Sequence, residues 1–176
     1  MRKAFSLVEL LIVVIIIGVV YNLAVGSFEK IAKPQSQKIT LQNLKSFLAK
    51  IEYKKQIKLL CLDDCSRCNL FIDGAVDEDF EKVFEDFLDL SVQTYWYDPM
   101  LGVVEYQQKL YFDSSDVEKR VCFSYAMGRD RIGEQIVVKF KDKVYDFSLY
   151  ADDAVLYDSL LEFIESKEKL YNKVVR

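Results

Sequence analysis

A chain of 176 residues is long enough for one domain around one core and short for two. With Lys+Arg 24 against Asp+Glu 28, its formal charge of −4 argues against holding nucleic acid through overall charge. It contains no His, the commonest general base and metal ligand, and lacks a G-x-S-x-G elbow, a phosphate-binding glycine loop and a dinucleotide fingerprint, so no enzyme is expected.

The hydrophobic share of 51% is inflated by the first stretch, MRKAFSLVELLIVVIIIGVVYNLAV. Arg2 and Lys3 precede Ala4, and Glu9 interrupts the apolar residues that follow. At about 1.5 Å per residue, 5–25 would cover a hydrocarbon core of roughly 30 Å, which predicts a membrane-spanning helix. No A-x-A-like site closes the run, so it does not read as a removed secretory signal. Arg2 and Lys3 favour a cytoplasmic N-terminus and place the remainder beyond the membrane. A carboxylate within a span costs about 2.5–3.5 kcal/mol, so Glu9 needs a partner. A cut after Ala4 would supply one, because the new amine of Phe5 would lie one helical turn from Glu9.

The segment K-A-F-S-L-V-E-L-L resembles the prepilin cleavage and methylation motif of type IV pilins and type II secretion pseudopilins. The resemblance implies that prepilin peptidase cuts between Ala4 and Phe5 and that Phe5 becomes N-methylated. It implies that Glu9 pairs with the N-terminus of an adjacent subunit during filament assembly. Ala4 stands where Gly is usual, and Gly26 stands where many major pilins carry a helix-breaking Pro, which fits a minor pilin or pseudopilin. The expected partners are other pilin or pseudopilin subunits, prepilin peptidase and the inner-membrane platform of a secretion or pilus machine. The expected setting is a single pass through a bacterial inner membrane with a periplasmic C-terminal domain, in a filament serving type II secretion, competence DNA uptake or a surface pilus.

The domain reading is a leader at 1–4, a transmembrane helix at 5–25, its extramembrane continuation at 26–56 and a globular domain at 57–176. Leu41, Leu44, Leu48 and Ile51 recur at helical steps with Phe47 beside them, while Lys45, Lys50, Glu52 and Lys54 fall elsewhere. Pro34 predicts a bend or break between the two helical halves. The lysines at 50, 54, 55 and 58 form one basic cluster, explained as well by a solvated helix face.

From Ile57 the pattern predicts strands at 57–62 and 69–73 around Asp63-Asp64-Cys65-Ser66-Arg67, with Gly74 ending the second. Phe80, Val83, Phe84, Phe87 and Leu88 predict an amphipathic helix, capped by Asp77 or Asp79. Further strands are expected at 91–97, 103–112, 120–127, 134–140 and 144–150, with a hairpin at Lys141-Asp142-Lys143. In 120–127, Val121, Phe123 and Tyr125 alternate with Cys122, Ser124 and Ala126, the period of a half-buried strand. A last helix is expected from about Asp153 to Asn172. The fold class that results is α+β: a long N-terminal helix packed on an antiparallel sheet, pilin-like, with an extra C-terminal helix.

Cys61, Cys65 and Cys68 form C-x3-C-x2-C, and Cys122 stands alone. The triplet matches the iron–sulfur spacing of radical-SAM enzymes, but the domain is too short for their barrels. A four-cysteine zinc site is an alternative. An even count in an exported domain favours disulfides, with three pairings open. One bridge within the triplet and one to Cys122 is the favoured arrangement. No cofactor is expected, apart from a structural calcium suggested by calcium-stabilised pseudopilins and by acidic pairs such as Asp63-Asp64, Asp77-Glu78-Asp79 and Asp152-Asp153. Hairpin tips and caps are the favoured explanation of those pairs. A competing function is a membrane-anchored periplasmic redox or metal-binding module that works through the C-x3-C-x2-C cysteines.

Overall fold

In the computed structural model, residues 11–18, 38–106, 110–113 and 115–174 are described. The chain divides into two compact units, Met1–Lys38 and Ile39–Arg176.

In the first unit, residues 11–18 are helical (α1) and their large apolar side chains are 46–62% exposed. Among the described residues no helix is long and apolar enough to cross a membrane. The transmembrane reading of 5–25 is thereby corrected, and the single-pass inner-membrane placement that depended on it falls with it. Residues 5–10 and 19–25 of that span, the leader 1–4 and the Pro34 bend lie outside the described residues.

The second unit is built from two five-stranded antiparallel sheets. The first comprises β1 (Gln56–Leu62), β2 (Arg67–Ile72), β3 (Ala75–Asp77), β6 (Leu110–Phe112) and β7 (Glu118–Gly128), in the order β3-β2-β1-β7-β6. The second comprises β4 (Gln93–Asp98), β5 (Gly102–Glu105), β8 (Val137–Phe140), β9 (Lys143–Asp146) and β10 (Val155–Tyr157), in the order β10-β9-β8-β4-β5. Two α-helices, α2 (Leu44–Ala49) and α3 (Leu160–Val174), and a 3-10 helix (Glu78–Val83) complete it.

Side-chain alternation turns into rows across the first sheet. Ile72, Ile57 and Met127 lie side by side, then Leu70, Leu59 and Tyr125, then Cys68, Cys61 and Phe123. Eight of the nine are buried in the main core and Ile72 packs against it; Val138 of the second sheet, Phe147 just past β9, and Leu41, Leu44 and Leu48 from the α2 region enter the same core. The second sheet has an apolar opposite face as well. Val137, Val144, Tyr95 and Tyr97 meet Phe163 of α3, whose ring stands edge-on to Tyr97 at 5.6 Å and to Tyr157 at 5.5 Å. Burying Phe163 fully contributes about 1.5–3 kcal/mol to holding α3 on the sheet.

The α+β reading with a long helix against one sheet is therefore corrected to a mostly β stack of two sheets with short helices. The reason lies at both ends of α2. Thr40 and Asn43 bond each other reciprocally, Thr40 N–H to Asn43 Oδ1 at 2.8 Å and Asn43 N–H to Thr40 Oγ1 at 3.4 Å, which starts a separate helix there. Downstream, the Asp73 carboxylate accepts the backbone N–H groups of Lys54, Lys55 and Gln56 and turns the chain into β1. Asp73 and Gly74, with φ of 54° and 95°, form the two-residue hairpin between β2 and β3, a turn that needs the left-handed region twice.

Two other helices differ from expectation. The amphipathic helix over Phe80–Leu88 is a 3-10 turn instead, with the Asp77 side chain accepting from Asp79 N–H. Phe84 and Leu88 are buried all the same, and Asp86 at φ 53° donates its N–H to Ser66 O, so helical bonding stops there. The last helix starts at Leu160, because 155–157 pair with β9 as β10. Glu162 N–H bonds Ser159 Oγ at 3.1 Å and Glu162 Oε2 accepts from Asp158 N–H at 2.7 Å, a capping arrangement that fixes the start.

Candidate functional site: a cleft braced by two disulfides

The four cysteines converge at one end of the first sheet. Cys61 and Cys68 face each other across the β1–β2 hairpin and are bridged, with Cα atoms 4.0 Å apart. Cys65 sits in the intervening turn and is bridged to Cys122 of β7, Cα atoms 5.9 Å apart. The ladder between β1 and β7 shifts at this point: Cys61 pairs with Phe123 and Leu62 with Val121. Cys122 is the extra residue of a β-bulge, which frees it from the ladder and re-aims it toward Cys65. Its Sγ lies 3.3 Å from the Cys61 carbonyl oxygen, so the second bridge reaches the main chain of the first.

The turn that presents Cys65 is tightly specified. Asp63 and Cys65 take φ of 55° and 64°, a region that side chains resist. Asp64 accepts the Ser66 hydroxyl at 2.8 Å and the Ser66 N–H at 3.1 Å, and these bonds hold its carboxyl below the usual range. Asp63 pairs with Lys119 at 3.2 Å, and its N–H donates to Arg120 O at 2.8 Å. The acidic pair at 63–64 is thus the turn's own scaffold, and Asp77 is a helix cap. Among the described residues no group of three potential ligands gathers into a metal site, and all four sulfurs are committed to bridges.

Beside the bulge lies a cleft of about 210 Å³ between β7 and the β4–β5 hairpin. Cys122, Ser124, Thr94, Glu105, Tyr106 and Glu134 contribute to its walls. Cys61, Cys65 and Cys68 are at most 1% exposed, whereas Cys122 is only partly buried.

Ala4, Phe5 and Glu9 lie outside the described residues. Of the consecutive aromatic residues on β4, Trp96 is exposed, while Tyr95 and Tyr97 are half-buried against the second core. Lys45, placed by periodicity among the exposed positions, is 7% exposed and corrects that reading. Its Nζ donates to the carbonyls of Ser148 at 2.8 Å, Leu149 at 3.2 Å and Ala151. Burial lowers its pKa, opposed by the nearby charges of Asp152, Asp146 and Asp153. A second buried pair, Lys167 Nζ to Asp146 Oδ2 at 2.6 Å, ties α3 to β9. Neither lysine carried a sequence signal beyond lying one helical step from buried residues.

No family model, no curated protein and no solved structure matches the chain.

Proposed function

We propose that this chain is a minor pilin or pseudopilin subunit, cut between Ala4 and Phe5 and assembled through its N-terminal segment into a type IV pilus-like filament. The observation that carries the reading is K-A-F-S-L-V-E-L-L, in which a cleavable bond is followed at one helical turn by a single acid in apolar surroundings. In assembly, the Phe5 amine neutralises Glu9 of a neighbouring subunit and sets the register between them.

Two structural features support it. The side chains of Leu11 to Ile17 are apolar on every side of α1 and about half exposed, and a helix hydrophobic all round requires apolar cover, which packing with neighbouring subunits would provide. The paired cysteines suit a domain exported to oxidising surroundings, where such bridges persist. The filament then serves type II secretion or competence DNA uptake.

The test is co-expression with a prepilin peptidase followed by N-terminal sequencing. A mature chain beginning at N-methylated Phe5 supports the reading. A chain that still begins at Met1 in the presence of active peptidase overturns it.

A further inference from the structure

We propose that Cys65–Cys122 is an exchangeable disulfide, opened by thiol reductants that attack Cys122 Sγ from the cleft, while Cys61–Cys68 is a permanent staple. The inference does not depend on filament assembly. It rests on a difference between two bridges that share one corner of the fold.

Exchange requires a thiolate to reach a sulfur atom in line with the bond it breaks. Cys61 and Cys68 are both sealed within the main core, at 0% and 1% exposure. In the other bridge Cys65 is sealed, but Cys122 lines the cleft beside Ser124 and Thr94. Of the four cysteines only Cys122 is not sealed in the core, so attack falls on its sulfur and Cys65 is the leaving group. The leaving side is also the strained one: Cys65 is held at φ 64°, and the turn can relax toward an ordinary conformation once the bond is broken. Cys61 and Cys68 sit opposite each other within a regular ladder, and neither is among the positive-φ residues.

The reaction balances as two exchanges. A reductant thiolate forms a bond to Cys122 Sγ as the Cys65–Cys122 bond breaks, and Cys65 leaves as a thiolate that takes up a proton. A second thiolate of the reductant then attacks its own sulfur in the mixed disulfide and releases Cys122. The dithiol is oxidised to a disulfide and the protein is reduced by two electrons. The carboxylates of Glu105 and Glu134 on the cleft walls repel reagents with further negative charge, so the reductant class favoured is a dithiol whose attacking thiolate is its only charge.

The experiment uses the full oxidised chain, treated with dithiothreitol for increasing times under native conditions, quenched with an alkylating agent and mapped by peptide mass spectrometry. Expected is labelling of Cys65 and Cys122 at least about tenfold sooner than Cys61 and Cys68. Labelling of all four in one step, or of Cys61 and Cys68 first, overturns the proposal. A second measurement compares 2-mercaptoethanol with glutathione, on the native chain and on the chain in urea. The preference for the uncharged thiol is larger in the native chain if attack comes through the cleft; equal preferences overturn that route.

Discussion

Lys45 of α2 and Ser148, separated by 103 positions in the sequence, are joined by a 2.8 Å hydrogen bond from Nζ to the main-chain carbonyl. The same ammonium also serves Leu149 and Ala151, while Ala154 N–H donates to Gln42 O at 2.9 Å. The segment after β9 is thus gathered around one cation from the start of the domain.

Lys45→Met keeps most of the apolar stem and removes the cation. Carbonyls stripped of a buried donor cost about 1–3 kcal/mol, so the midpoint of urea unfolding is expected to fall accordingly. Faster amide exchange confined to 148–154 would accompany it. An unchanged midpoint would show that water replaces the ammonium freely.

Tyr125 offers the opposite case. Its Oη is buried without a hydrogen-bond partner and is pressed against Gly133, where a Cβ would collide with it. Tyr125→Phe is expected to be neutral or stabilising by about 1 kcal/mol, and Gly133→Ala destabilising by more than that. Burial raises the Tyr125 pKa, as it does for Tyr53 and Tyr95. Each folded value lies above its unfolded one. Their contribution is therefore complete below the unfolded pKa near 10 and is lost as pH climbs from there through the folded values. Thermal melts between pH 9 and 11.5 should show that fall, and Tyr125→Phe should shallow it.

The two bridges close loops of very different length, with sequence separations of 7 and 57. Chain-entropy reasoning gives about 2.5 kcal/mol for the shorter and about 4 kcal/mol for the longer. Replacing Cys65 and Cys122 together by Ser should accordingly lower stability more than replacing Cys61 and Cys68. Denaturant titration of the two double variants decides it, and the reverse order would point to lost packing as the larger effect.

Asp146 and Lys167 are 3% and 14% exposed and 2.6 Å apart, with Asp146 Oδ1 left without a hydrogen bond. Removing only the cation, in Lys167→Met, strands a buried carboxylate and is expected to cost about 3–5 kcal/mol. Replacing both with Leu and Met should recover most of that loss. Amide exchange across 160–174 reports whether α3 comes away first.

Glu9→Ala should leave cleavage at Ala4–Phe5 intact while reducing co-purification with sibling subunits. Wild-type incorporation into filaments would remove the role assigned to the carboxylate.

Strands were the most legible part of the chain. The alternation in 120–127 and the Lys141-Asp142 turn announce β7 and the β8–β9 hairpin, because both the period and the turn chemistry are local, whereas Gly74 signals only the end of β2 and β3 is not foreseen. Helix extents were poorly legible. The stripe from Leu41 to Ile51 is as compatible with a six-residue helix as with a long one, and only the side-chain bonds of Thr40, Asn43 and Asp73 decide its ends. The Ser159 and Glu162 spacing of a capping box is the local signal in the sequence that marks the start of the last helix. The Cys122 bulge leaves no mark on the sequence at all, since it arises from pairing with a strand sixty positions away. The burial of Lys45 is illegible for a similar reason: its partners are main-chain oxygens far along the chain, which have no residue signature.

β8 carries Val137 into one core and Val138 into the other. That single short ribbon makes the two hydrophobic clusters mechanically inseparable, so neither can loosen without exposing the flank of its neighbour. The second unit should accordingly melt in one cooperative transition, with coincident signals from the lone tryptophan and the far-ultraviolet dichroism, even though α3 is lashed to the outside.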